Sequence, residues 1–179
     1  MQQETKINKE RIGVLIGKEG TVKAYIEKET ETKITVDSTG GLVLVEGENA
    51  DLFIRAVATI QAISRGFSPE RAFVLLEEDD LYIEVVDISD ATSTPEQMER
   101  IRGRIIGKNG RARTQIEDMT QTSISVYGKT VAVIGDVEQI RVALDAIDML
   151  VSGVEHETVF SFLEKKRREA KQNMISYYY

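Results

Sequence analysis

Apolar positions recur along the chain with two alternating spacings, one typical of helices and one typical of strands. A short strand is predicted over 5–9, and a helical spacing then covers 21–30. Apolar and polar residues alternate over 33–36, as in a strand, and 42–45 is predicted to be the returning strand. The Ser-Thr-Gly-Gly turn between these segments predicts a β-hairpin. A longer apolar stripe over about 50–65, at helical spacing, is expected to cover one face of that hairpin.

The same order of elements returns about 90 residues later. Residues 13–20 read Gly-Val-Leu-Ile-Gly-Lys-Glu-Gly, and residues 103–110 read Gly-Arg-Ile-Ile-Gly-Lys-Asn-Gly. The match keeps its register through the following helix and strand, where Ile34 aligns with Ile124. Agreement over this length indicates two copies of a whole domain rather than a chance motif.

Each copy is predicted to run strand, helix, helix, strand, strand, helix, with a short helix appended. This order indicates an α+β domain whose three-stranded sheet carries helices on one face. The acidic turn at 77–80 is the best boundary between the copies. It divides the chain into a first domain over 1–76 and a second domain over 77–179.

The ends of two helices in the second copy differ in how clearly the sequence marks them. Thr94, with Gln97 three residues later, predicts a capping box at the start of a helix that runs to Ile106. The last helix is predicted to begin near Glu155. No pattern predicts a structure for the three tyrosines at 177–179.

Composition excludes several classes of protein. The 179 residues carry a net charge of −7 and include no cysteine, so neither a disulfide framework nor a zinc site with cysteine ligands is expected. No apolar run approaches the roughly 18 residues that a membrane span needs, and the first residues do not resemble a signal peptide. We therefore expect a cytoplasmic protein that has no membrane partner.

No pattern of catalytic residues stands out. His156 is the only histidine, and neither a nucleophile nor a metal-ligand spacing accompanies it. The carboxylates at 77–80 could in principle bind Mg²⁺, but adjacent acids at a domain junction are commonly just solvated. The sequence therefore predicts a protein that has no enzymatic activity and needs neither a metal nor a cofactor.

Charge is distributed unevenly between the two copies. From Glu99 to Gly128, around the second Gly-Lys-x-Gly, six basic residues accompany three acidic ones. From Glu10 to Ser38, around the first, five basic residues accompany six acidic ones. Because nucleic-acid binding depends on Lys and Arg contacts to phosphate, an acidic protein can bind RNA only at a local basic site. The second copy is the better candidate for that site.

The two Gly-Lys-x-Gly segments have the chemistry of a phosphate-binding loop. A glycine at each end permits backbone angles closed to other residues, and the helix that follows presents free N–H groups and the positive end of its dipole. The lysine adds positive charge. The neighbouring apolar strip, which in the second copy is Ile106, Ile116, Ile124 and Val126, could form a floor for unpaired bases. The residues predicted to contact RNA are Gly107, Lys108, Asn109, Gly110, Arg104, Arg111, Arg113, Ile106, Ile116 and Ile124 in the second copy, and Gly17, Lys18, Gly20 and Lys23 in the first.

At these residues the chain resembles the type I KH domains, which share this order of elements and an Ile-Gly-x-x-Gly loop, and which bind about four single-stranded nucleotides. The resemblance covers nearly the whole chain. The second loop, preceded by a unit that carries Gly-Phe-Ser-Pro-Glu-Arg-Ala at 66–72, is similar to the tandem KH ribosome-assembly factors of archaea and eukaryotes, the partner-of-Nob group.

That resemblance implies a place in ribosome assembly. It implies binding near the 3′ end of the small-subunit ribosomal RNA precursor. It also implies cooperation with the Nob endonuclease, which cuts there, or with another ribosome-assembly or translation protein.

Three positions depart from the usual KH pattern. Lys23 and Arg113 stand where many KH domains carry an apolar groove residue, so either the groove is more polar than usual or these side chains reach phosphate. Glu19 lies inside the first loop and would repel a phosphate there. We therefore expect the second copy to be the main RNA site, and the first to be auxiliary or to contact protein.

Other interpretations of the same residues stay open. Arginines 100, 102 and 104 form either an RNA-contacting face or a solvated one. The two KH folds could mainly dock a nuclease or a ribosomal protein, or the chain could be the RNA-binding subunit of an RNA-degrading complex.

Overall fold

The computed structural model describes the whole chain, residues 1–179. The chain divides into two compact units, Met1–Ile83 and Glu84–Tyr179. Two three-stranded sheets are present, one for each copy of the repeat. The α+β class and the presence of two copies are therefore confirmed, whereas a boundary between domains at residues 76 and 77 stays a prediction.

The elements of the first unit follow the predicted order. They are β1 (Gln2–Lys6), α1 (Lys9–Ile16), α2 (Thr21–Thr30), β2 (Lys33–Asp37), β3 (Leu42–Glu46), α3 (Ala50–Ser64), α4 (Pro69–Ala72) and α5 (Val74–Glu77). The sheet is antiparallel, with the strand order β1-β3-β2. The second strand of the hairpin is therefore central, and β2 lies at an edge.

The first strand begins and ends three residues earlier than the strand predicted over 5–9. Its five residues are Gln-Gln-Glu-Thr-Lys, with no apolar side chain, so it has no alternation by which a sequence pattern could place it. Pairing with β3, from Gln2 opposite Glu46 to Lys6 opposite Leu42, sets its limits instead.

The second unit has the same order of elements, but its appended helix has 23 residues and is not short as predicted. Its elements are β4 (Tyr82–Asp87), α6 (Pro95–Ile106), α7 (Arg111–Thr120), β5 (Ser123–Tyr127), β6 (Thr130–Gly135), α8 (Val137–Val151) and α9 (His156–Tyr178). The strand order is β4-β6-β5, so β5 is an edge strand. The terminal tyrosines, for which no structure was predicted, extend α9 to Tyr178 with exposed side chains. None of the helices combines the length and the apolar character that crossing a membrane would require.

Side-chain caps set the starts of the two long helices of the second unit. Asp136 and Gln139 form a reciprocal capping box before α8. At α6, Thr94 accepts a hydrogen bond from the N–H of Gln97, as predicted. The Gln97 side chain accepts from the N–H of Ser93 at 2.8 Å, one residue before the cap, so that box closes one position earlier than the pattern predicts.

Equivalent aliphatic side chains form the core of each unit between the sheet and its helices. The fully buried pairs are Leu15 and Ile105, Ile26 and Ile116, and Ile34 and Ile124. Each side chain of this size contributes about 1.5–3 kcal/mol when it is removed from water. The alignment read from the sequence is therefore also an alignment of the two cores.

In the second unit, an arginine joins the first helix to the end of the covering helix. Arg104 on α6 donates a hydrogen bond from Nε to the carbonyl of Leu150 at 3.0 Å, and another from a terminal nitrogen to the carbonyl of Val154. Carbonyls at a helix C-terminus lack partners within the helix, and a cation there is also favoured by the helix dipole. The guanidinium of Arg104 therefore stabilises the end of α8.

The first unit makes the same connection from a different position. Arg11 donates to the carbonyls of Ile63 and Phe67 at 2.8 and 2.7 Å. In the repeat these carbonyls align with the two that Arg104 reaches, but the arginines do not align. Arg11 lies six residues before the first glycine of its loop and Arg104 lies three before, about one helical turn apart.

Replacing Arg104 by alanine should weaken the second unit locally. We expect a loss of about 2 kcal/mol for opening the end of α8, because charge-assisted hydrogen bonds contribute about 1.5–3 kcal/mol each and this side chain is half-exposed. Amide hydrogen exchange of the peptide around Leu150, measured by mass spectrometry on the whole chain, tests this. The exposed Arg100 on the same helix, changed to alanine, is the control. Equal protection in both variants would contradict the structural role of Arg104.

Candidate nucleic-acid interface

A tight four-residue turn joins α6 to α7 in the second unit. Gly107 has φ 74° and ψ 176°, and Gly110 has φ 74° and ψ 11°. In the first unit, Gly17 has φ 74° and ψ 175°, and Gly20 has φ 76° and ψ 14°. The two Gly-Lys-x-Gly loops therefore share one backbone geometry, although the residues around them differ.

The first glycine of each loop is required by close approach as well as by its backbone angles. A Cβ atom at Gly107 would lie 2.6 Å from the Cβ of Ala112 and 2.7 Å from its backbone nitrogen. At Gly17 it would lie 2.4 Å from a methyl carbon of Val22. Such distances are well below van der Waals contact, so only glycine lets the incoming helix pass this close to the outgoing one.

The third loop residue adopts a left-handed conformation without being glycine. Asn109 has φ 54° and Glu19 has φ 55°. Asparagine is several-fold enriched in this region, because its short polar side chain can hydrogen-bond locally, whereas glutamate is not. The first loop therefore carries both a less suitable backbone residue and a negative charge at the place where a phosphate would bind.

The start of α7 has the properties of an anion-binding site. The N–H of its first residue, Arg111, donates to the carbonyl of Lys108, and no side chain caps the helix. Lys108 and Arg111 flank this helix start, and both are exposed. An uncapped helix N-terminus beside two cations attracts a phosphate, as the sequence predicts for this loop.

Arg113 and Lys23 point toward the edge strand of their own unit. Arg113 Nε lies 3.3 Å from a carboxylate oxygen of Glu117, an ion pair without hydrogen-bond geometry. The other carboxylate oxygen of Glu117 accepts from the N–H of Ile124 at 3.3 Å, at the start of β5. Lys23 is placed in the same way by an ion pair of 3.3 Å with Glu27. Of the two open interpretations, this geometry favours the more polar groove.

The predicted apolar floor is divided between core and surface. Ile116 and Ile124 have 0% exposure, so they support the groove from beneath. Ile106 and Val126 are only half-buried, so part of each side chain is accessible. The strip predicted from the sequence therefore contributes two side chains that a base could touch.

The structure also brings together residues that were not predicted to act as a group. An open cleft of about 470 Å³ lies between the loop and the start of α9, lined by Arg100, Lys108, Arg111, Gln115, His156 and Phe160 among others. His156 was expected to be a plain helix residue. Its Nε2 lies 2.8 Å from the carbonyl of Arg104, to which it donates, because a carbonyl can only accept. In the sequence, the only signal was that Arg100 and Gln115 replace Glu10 and Tyr25 of the first copy.

No group of three or more His, Cys, Asp or Glu side chains comes together that could hold a metal ion. The four carboxylates at 77–80 therefore do not converge with others on a metal-binding geometry.

Comparison with known proteins agrees with the geometry. Residues 82–168 match the family described as a eukaryotic type KH domain of type I, and residues 2–62 match the KH domain family. The KH domain-containing protein MJ0443 of Methanocaldococcus jannaschii is 41% identical over 170 residues, which cover 93% of this chain and 74% of that protein.

Two further relatives carry more informative names. The pre-rRNA-processing protein PNO1 of Chaetomium thermophilum is 37% identical over 106 residues, which cover 58% of this chain and 41% of PNO1. A chain in the crystal structure of the a/eIF2alpha-aDim2p-rRNA complex from Pyrococcus horikoshii superposes with a TM-score of 0.89 at 45% identity. That match covers 94% of this chain and 95% of the other.

Two units of this fold, each with a Gly-x-x-Gly loop leading into a helix, define a protein with tandem KH domains. Within that class, the chain belongs to the KH-domain family of MJ0443 and is homologous to the Dim2 and PNO1 pre-rRNA-processing proteins.

Replacing Gly107 by alanine should disrupt the second loop, because the new methyl group would overlap Ala112 and the residue would keep a left-handed φ. We expect a loss of at least about 2 kcal/mol in the free energy of unfolding of the second unit. Gly103 is the matched control, since it lies within α6 with open space around it, and alanine there should stabilise the helix by about 0.5–1 kcal/mol. Thermal denaturation followed by circular dichroism measures both variants, and equal melting temperatures would contradict the close-approach argument.

Proposed function

We propose that this protein binds single-stranded RNA through the second Gly-Lys-x-Gly loop and acts in processing of the small-subunit ribosomal RNA precursor, near its 3′ end. One observation supports this most strongly: the N-terminus of α7 is uncapped and lies between exposed Lys108 and Arg111, with a neutral asparagine in the loop. The names of the homologous proteins, which include pre-rRNA processing and a complex with rRNA, point to the same RNA.

The second unit is the better RNA site because its loop holds no negative charge. In the first loop, Glu19 sits at the left-handed position between Lys18 and Gly20 and offsets the lysine. A phosphate at that loop would meet one cation and one anion. We infer that the first domain, over 1–76, is auxiliary for RNA or contacts protein, and that the second domain, over 77–179, makes the main RNA contact.

The groove beside the loop explains how bases could be held. The loop grips the sugar-phosphate backbone, Ile106 and Val126 offer apolar surface, and the edge of the sheet lies alongside. KH domains hold about four unpaired nucleotides in such a groove with the base edges free for hydrogen bonds. A protein of this kind keeps a segment of RNA single-stranded and in a defined position.

A protein that only holds RNA in position needs a partner that cuts or uses that RNA. We propose that the protein works in the cytoplasm beside a Nob-type endonuclease, or beside another ribosome-assembly or translation protein, and that it does not cut RNA. A net charge of −7 leaves acidic surface for basic protein partners.

Replacing both Lys108 and Asn109 by aspartate should weaken RNA binding by at least about tenfold, because negative charge would then face the phosphate at the start of α7. Fluorescence anisotropy with a labelled RNA that copies the 3′ end of small-subunit rRNA measures the affinity. The matched control replaces Lys18 and Glu19 by aspartate, which alters the same positions of the first loop and should change affinity less than about threefold.

The salt dependence of the same titration separates RNA binding from docking of proteins. An RNA site gives a steep fall of affinity with salt, with a slope that reflects several phosphate contacts. If the unmodified protein bound the rRNA copy no more tightly than a scrambled RNA, with almost no salt dependence, the assignment would be wrong and a protein-docking scaffold would take its place.

Exchanging the third loop residues should move RNA affinity in opposite directions. Glu19→Asn removes a negative charge and places a residue that tolerates the left-handed region, so we expect tighter RNA binding by a few-fold and a gain of about 0.5–1 kcal/mol in stability. Asn109→Glu is the reverse change and should weaken both. Anisotropy and thermal denaturation report the two effects, and Asn109→Glu with unchanged RNA affinity would contradict the role of the second loop.

A further inference from the structure

The cleft on the α9 side of the second loop, formed by Arg100, Lys108, Arg111, Gln115, His156 and Phe160 and here named the α9 cleft, lies on a different face from the groove. Along α7, Arg113 and Glu117 face β5, where the groove runs. Arg111 and Gln115 precede them by two residues each, which turns their side chains by about 200° around the helix. The loop therefore stands between the groove and the α9 cleft, and Lys108 borders the cleft from the loop.

In the first unit, two aromatic rings fill the position that is equivalent to the α9 cleft. Tyr25 aligns with Gln115 and Phe73 aligns with Phe160. The rings of Tyr25 and Phe73 lie 4.6 Å apart between centroids, at an angle of 43°, and so fill the space between α2 and the residues after α4. In the second unit a shorter, exposed amide replaces the tyrosine ring, and Phe160 is half-exposed at the cleft.

The second unit is also more positively charged than the first at this position. Arg100 stands where the first unit has Glu10, and Arg111 stands where it has Thr21. No carboxylate lines the α9 cleft, whereas four cations do: Arg100, Lys108 and Arg111, and Arg104, whose guanidinium is bonded to the end of α8. The second unit therefore has Gln115 where the first has the Tyr25 ring, and it has two additional arginines, Arg100 and Arg111, beside that position.

The remaining side chains supply the other contacts that a nucleotide needs. The ring of His156 is held by its bond to the Arg104 carbonyl and lies 6.1 Å from the ring of Phe160, tilted by 49°. Aromatic faces of this kind stack on bases, and the Gln115 amide offers both donors and acceptors to a base edge. At about 470 Å³ the cleft has the size of a small-molecule site, for which about 300–1,000 Å³ is usual.

We propose that the α9 cleft binds one further nucleotide of the same RNA, outside the segment held in the groove. The base rests on Phe160 and His156, the Gln115 amide contacts its edge, and Arg100, Lys108 and Arg111 hold the adjoining phosphates. This assignment rests on the proposed function, because the RNA reaches the cleft by passing over the second loop. It adds a subsite that the first unit, with its paired rings, does not have.

Gln115→Tyr tests the proposal by installing the residue of the first unit in an exposed position that tolerates it. The whole chain is titrated with an RNA of about four nucleotides and with RNAs that are longer by about two nucleotides at the 5′ or the 3′ end. Stacking on an aromatic ring should make one of the longer RNAs bind about tenfold more tightly to the unmodified protein. In Gln115→Tyr that gain should disappear, while the short RNA binds as before.

Two more variants keep the result interpretable. Phe160→Leu preserves apolar packing against the core but removes the ring, and it should also abolish the gain. Tyr25→Gln makes the opposite exchange in the first unit and should leave the gain unchanged.

The outcomes separate the subsite from the function on which it rests. If the short RNA binds and the extension adds nothing, or if Gln115→Tyr retains the full gain, the nucleotide subsite is wrong, and the cations of the cleft are left for an acidic protein segment. If the short RNA itself does not bind to the unmodified protein, the proposed function fails first.

Discussion

The close approach of two helices at a single glycine is the constraint on which the rest of each unit depends. At Gly107 there is no room for a Cβ atom against Ala112, and the same holds at Gly17 against Val22. After this sharp turn the next helix starts at a left-handed glycine and without a side-chain cap. The geometry of the candidate anion site is therefore a consequence of how tightly the two helices are joined.

The two units keep this backbone while their side chains have diverged. Loop angles agree within a few degrees, yet the arginine that caps the covering helix comes from positions one helical turn apart. The carbonyls at the helix end need a donor wherever it comes from, so geometry is preserved more strictly than sequence position. The charge of the two loops has diverged further. Glu19 and Asn109 share the same left-handed backbone conformation, but Glu19 is negatively charged and would repel a phosphate, whereas Asn109 is neutral.

Much of the site could be predicted because it is local. The loop glycines, Lys108 and the helix that follows lie within a few residues of one another, so their spacing along the chain describes their spacing in the fold. Arg104 shows the limit of that reasoning. It was predicted beside RNA on the basis of charge alone, but its guanidinium bonds to carbonyls 46 and 50 residues further on. Ile116 and Ile124 were predicted to line the apolar strip, but both are fully buried, because α7, which carries Ile116, packs on the sheet to which Ile124 belongs.

The sequence by itself determined the two copies, the order of their elements and the two loops, because periodicity, glycine and charge act over short distances. Only the tertiary structure decided the limits of β1, a strand of polar residues whose register depends on β3, and only it placed His156 and Phe160 of α9 beside Gln115 of α7. Those residues are more than 40 apart along the chain, and no local pattern encodes which helix faces meet. Packing of the helices against the core decides which faces meet, and it thereby forms the α9 cleft.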